Sequence, residues 1–135
     1  MKSTKFRIEE LVSKPVFDKR GERAWELINP LLIATIDTIK SRFPEGSMSI
    51  NTWLWNGNRN ESGLRTADSS YYSPTSQHSL GNAIDAVFSK YTSEEVRQDI
   101  INNPDIYPHV KGIETDISWL HVDVRNRETV AIFKP

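Results

Sequence analysis

The feature that most restricts this chain is an acid inside an apolar run. Asp85 lies within Ala83-Ile84-Asp85-Ala86-Val87-Phe88, whose apolar and partly β-branched content predicts a strand. A carboxylate buried there without a partner is expensive. The fold must therefore bring a neutralising group to it. His78 lies seven residues upstream, across a spacer that contains the small residues Gly81 and Ala83. His121 lies in Ser118 to Val124, which alternates well, with Trp119, His121 and Asp123 on one face and Leu120, Val122 and Val124 on the other. Imidazole nitrogen and carboxylate oxygen are both good Zn²⁺ ligands, and three protein ligands leave one position open to water. These residue types predict one Zn²⁺ per chain held by His78, Asp85 and His121, with Asp123 either orienting the His121 ring or sitting further out. The bland alternative has Asp85 accepting backbone hydrogen bonds, His78 in a surface loop and His121 satisfied in the core. Cysteine is absent, which excludes disulfides, thiolate metal sites and a cysteine nucleophile. The remaining histidine, His109, follows Tyr107-Pro108 and reads as a loop residue.

At 135 residues the chain is expected to form a single domain, 1–135, with residues 1–21 as an N-terminal extension and 48–125 as the motif-bearing core. A net charge of −1 gives no global drive toward nucleic acid or an anionic membrane. No apolar run approaches the roughly 20 residues of a spanning helix, so no membrane insertion is expected. The N-terminus lacks the apolar core of a secretory signal, so export is expected to need other machinery. The extension is broken by Pro15 and predicts a short element near Ile8–Leu11 followed by a loop. From Arg23 to about Ser41, Trp25, Ile28, Leu32, Ile36 and Ile39 form one helical stripe. Pro30 either kinks that helix or starts its main part just after Asn29. Met48 to Trp55 reads as a strand, and Thr66 to Gln77 as a long polar loop. Thr92 and Glu95 have the spacing of a capping box for a helix to about Ile101. Strands are expected at Gly112–Thr115, Ser118–Val124 and Thr129–Phe133. Together these elements predict an α+β fold, with helices packed on a mostly antiparallel sheet.

Ser76-x-His78-x-x-Gly81-x-Ala83-x-Asp85 matches the S-x-H-x-x-G-x-A-x-D signature of the zinc D-Ala-D-Ala peptidase family. That family includes bacterial D,D-carboxypeptidases, D,D-dipeptidases of glycopeptide resistance and phage endolysins that cut L-alanyl-D-glutamate bonds. Its metal core resembles those of lysostaphin-type peptidases and hedgehog. Trp119-x-His121-x-Asp123 resembles the family's second block, and Ser62-Gly63-Leu64-Arg65 a further element upstream. The resemblance spans about residues 48–125 and implies a hedgehog/DD-peptidase-like fold. It implies zinc on His78, Asp85 and His121, a substrate carboxylate on Arg65, and Ser76 fixing the loop or touching substrate. Asn51 and Trp53 are weaker candidates for the cleft wall. Many members carry an acid three residues before the last histidine. Here that position is Ser118, a poor base, which leaves Glu114 or Asp116 as the catalytic base; Asp116 would need a bulge to reach. The implied activity is zinc-dependent hydrolysis of peptide bonds in the peptidoglycan stem by a monomer with no nucleic-acid partner. The compact size and absent signal suit a phage endolysin or virion-associated lysin, held in the host cytoplasm or the phage particle until delivery to the wall. The alternative is a non-catalytic zinc-binding structural or binding module of a phage particle.

Overall fold

A computed structural model describes residues 1–135. Three helices, α1 (Lys14–Arg20), α2 (Pro30–Arg42) and α3 (Ser93–Asn102), accompany five strands: β1 (Met48–Ser49), β2 (Ala83–Phe88), β3 (Gly112–Glu114), β4 (Leu120–Asp123) and β5 (Ala131–Phe133). The strands form one sheet in the order β1-β2-β4-β3-β5, antiparallel throughout except for the parallel pair β3–β5. The fold is α+β, as the order of patterns predicts.

Register sorts the sheet into two chemically different faces. Ile84, Val122 and Ile113 lie opposite one another across β2, β4 and β3. With Ala86 and Leu120 they belong to one apolar core that also takes Leu32, Ile33, Ile36 and Ile39 of α2 and Val96 and Ile100 of α3. Each such aliphatic side chain contributes about 1.5–3 kcal/mol on burial. One residue along, on the opposite face, Asp85, His121 and Glu114 form a second row. The core therefore fixes the polar row: a one-residue slip would exchange the two faces.

Several local expectations yield to tertiary hydrogen bonds. The long amphipathic stretch splits into a 3-10 segment, Gly21–Leu27, and α2. Asn29 caps α2 by accepting from the Leu31 amide, and Pro30 takes the first helical position, where its missing N–H costs nothing. The Met48–Trp55 strand is cut to two residues, and Trp53–Trp55 is a 3-10 turn. The reason lies in the N-terminal segment: Asn51 Nδ2 and Trp53 Nε1 both donate to the Val12 carbonyl, and the Asn51 amide donates to Glu10 O. These bonds pull the chain out of the sheet against its β propensity. Residues 1–21 are accordingly no appendage. They contain α1 where a loop was expected, and Phe6, Ile8, Leu11, Val12 and Val16 join the core.

Gly81 joins the helical layer to the loop before β2. Its φ is +73°, its carbonyl accepts the Asn29 amide, and an added Cβ would lie 2.1 Å from Leu27 O. Gly81→Ala is expected to cost roughly 2–5 kcal/mol, the sum of left-handed strain and overpacking. Urea denaturation should show this as a lower midpoint with an unchanged slope.

Candidate metal centre

Asp85 and His121 are direct cross-strand partners on β2 and β4, and His78 reaches them from the loop preceding β2. Asp85 Oδ1 is 2.9 Å from His121 Nδ1 and 3.3 Å from His78 Nε2. One donor atom from each residue lies within 4.8 Å of the other two, a grouping able to hold a metal ion. The distal nitrogens are also held. His78 Nδ1 is 2.9 Å from the Gly63 carbonyl, which can only accept, so that nitrogen carries a proton and Nε2 is the atom turned toward Asp85. His121 Nε2 donates to Asp123 Oδ2 at 2.9 Å. Both rings thus have the second hydrogen bond that fixes the tautomer and orientation of a metal-ligating histidine.

Backbone bonds set the His78 loop in place. The Asp85 amide donates to Ser62 O and the Arg65 amide to His78 O, so residues 62–65 run between the loop and β2. Gly63 packs directly on the N-terminal segment, where an added Cβ would lie 2.2 Å from Leu11 O. Asn51 is the bracket: it donates to Val12 O and accepts the Ser62 amide. Asn51 and Trp53 therefore brace the wall from behind and do not line the cleft. Ser76 accepts the His78 amide through Oγ and lines the cleft.

Asp123 is wholly buried and held by a bidentate pair with Arg125, Nε and Nη2 each at 2.7 Å. Across the strand pair stands Gly112, where a Cβ would come within 2.2 Å of the Asp123 carboxylate, so only glycine leaves room for it. Arg125 and Gly112 went unnoticed in the sequence. The period-two pattern from His121 through Asp123 extends to Arg125 and contains the signal for it.

A cleft of about 340 Å³ opens over the cluster, with Arg65 at the Asp85 side, where its Nη2 is 3.3 Å from Asp85 Oδ2. Glu114 lines the cleft and is the cross-strand neighbour of His121. Trp119 and Phe133 supply apolar wall, and the Phe133 ring meets His121 edge-on at 5.8 Å. Asp116 is elsewhere: φ is +61°, its side chain is exposed, and its carboxylate is 3.6 Å from Lys134 Nζ. The chain turns at Asp116 in a left-handed residue, and no bulge carries it back to His121.

Electrostatics agree with this geometry. Burial alone would push the Asp85 carboxyl up, but hydrogen bonds to His121 and His78 outweigh it and hold it well below the usual carboxylate range. Asp123 is likewise held low, because Arg125 and His121 overcome its burial. Burial would lower His121, yet the Asp123 and Asp85 bonds push it up to about 9 when no metal is bound.

Comparison with protein-family models, with curated proteins and with solved structures gives no match to this chain.

Two outcomes are expected. In metal-free protein the His121 ring should titrate near pH 9 by NMR. Its raised value contributes stability that is full below the ordinary histidine pKa of about 6.5 and is lost as pH rises through the folded value. Asp123→Asn should weaken metal affinity about 10–100-fold in competition with a chelator, by releasing the His121 ring.

Proposed function

We propose that the chain is a zinc-dependent metallopeptidase of the D-Ala-D-Ala peptidase type that hydrolyses peptide bonds in the peptidoglycan stem. The observation that carries the reading is the convergence of His78 Nε2, His121 Nδ1 and Asp85 Oδ1, each ring pinned through its other nitrogen, on the floor of an open cleft. Donors at about 2.0–2.1 Å from a tetrahedral zinc are about 3.3 Å apart. The separations of 2.9 and 3.3 Å around Asp85 Oδ1 are near that value. Nitrogen and oxygen donors without thiolate suit zinc, and the burial of the two histidines protects the site. The hedgehog/DD-peptidase architecture is part of this proposal and rests on the sequence signature together with the α+β sheet.

When bound, zinc supplies Lewis acidity, polarising a carbonyl and making water acidic enough to attack near neutral pH. The chain supplies the rest. Glu114 is assigned as general base, taking the proton of the attacking water and passing it to the leaving amine. Its place beside His121 in the cleft favours it over Asp116. Arg65 is assigned to a substrate carboxylate, for which a guanidinium fork is suited. Ser76 keeps the His78 loop in shape. Trp119 and Phe133 shield the reacting groups from bulk water. The non-catalytic alternative calls for a closed, four-coordinate site; a cluster of three donors beneath a cleft favours catalysis. The setting proposed is a phage lysin or other cell-wall peptidase acting as a monomer.

Purified peptidoglycan digested with zinc-loaded protein should release stem fragments whose masses identify the bond cut. Unaltered walls would overturn the reading. Glu114→Gln should retain zinc and lose about 10²–10⁴-fold in rate, while Asp116→Asn should keep the parent rate. His78→Ala, Asp85→Ala and His121→Ala should each lose tight zinc binding by metal analysis after dialysis.

A further inference from the structure

Arg97 is the largest fully buried side chain in the molecule, and the site chemistry makes no use of it. It projects from α3, and its acid partner, Glu94, is mostly exposed. The other bonds of the guanidinium go to backbone. Nε donates to Glu114 O at 3.0 Å, and Nη2 to Ile117 O at 3.3 Å and Trp119 O at 2.5 Å. The three carbonyls lie at the end of β3 and along the connection that leads from it to β4.

That turn begins at Glu114 and ends at Trp119, both of which face the cleft. Between them the chain adopts the left-handed conformation at Asp116, which is unfavourable for a residue with a side chain. Buried carbonyls need donors, and an irregular turn has few of its own. A planar guanidinium with several fixed donors meets three such carbonyls at once, which a lysine ammonium cannot do in the same geometry. Removing it would take one donor from each of the three carbonyls, a change that shifts the turn.

We infer that Arg97 is a positioning residue for the cleft: by gathering the carbonyls of 114, 117 and 119 it sets the direction of Glu114 and the stance of Trp119 beside the metal centre. This rests on the assignment of Glu114 as base. The metal donors depend on other contacts, the β2–β4 pairing and the Gly63 and Asp123 bonds. Arg97 therefore acts on the base and the wall and leaves the donors in place.

The test uses zinc-loaded Arg97→Lys and Arg97→Gln beside the parent protein. Zinc affinity is expected to match the parent in both. The Trp119 indole NMR signal, assigned through Trp119→Phe, should shift, and the Thr115 amide, bonded to Phe133 O, should exchange faster. With a stem-peptide substrate, kcat per zinc-loaded molecule should fall on the order of 10²-fold in Arg97→Gln, with KM little changed. Arg97→Lys should recover part of that loss. A merely structural role would lower thermal stability while leaving kcat per zinc-loaded molecule and the Trp119 signal at parent values, and that result would overturn the inference. If the parent protein proves inactive on peptidoglycan, the Trp119 signal and Thr115 exchange still decide the role of Arg97, separately from the proposed activity.

Discussion

The buried carboxylate of Asp85 is the constraint around which this molecule is arranged. It sits mid-strand, between residues that belong to the core on one face, and three cationic or potentially cationic groups meet it: His78, His121 and Arg65. Cross-strand register delivers His121 and the preceding loop delivers His78. Without such partners the carboxylate would cost several kcal/mol in that position. With them it becomes a point of convergence, and a divalent cation would serve the same purpose by replacing protons as the source of positive charge.

A second, quieter requirement is that the histidines point correctly. Each is anchored by its far nitrogen, one to a backbone carbonyl and the other to a carboxylate. The carboxylate, Asp123, is itself clamped by Arg125 and given room by Gly112. Support therefore runs outward in layers: donors, the groups that orient them, then the groups that orient those. Such layering is how a site keeps its geometry before any ligand arrives.

What the sequence exposed and what it hid divide along physical lines. The three residues of the cluster were readable because their chemistry is conspicuous where it stands, an acid and a histidine in stretches otherwise apolar. The faces of β2 and β4 were readable from period two. The break before Pro30 was open between two readings, and the cap offered by Asn29 with its link to Gly81 decided it. The turn at Trp53 was hidden because it follows from Val12, some forty residues away, and no local pattern records that carbonyl. Glu114 and Asp116 stood equal in sequence, since a short connection between strands can bend either way; register beside His121 and a left-handed residue distinguish them. Arg97 was hidden most completely, as an arginine on a short helix reads as surface until its depth is known.

The ring of His78 hangs from the backbone of Gly63, and Gly63 leans on Leu11 with no space for a side chain between them. The first dozen residues are thus a buttress for a side chain more than sixty positions further on. A shortened version beginning at Arg23 would keep every donor atom and lose the surface that holds one of them still. For anyone trimming, tagging or grafting this domain, the working boundary of the candidate metal site lies ahead of Leu11, far upstream of the first residue of the cluster.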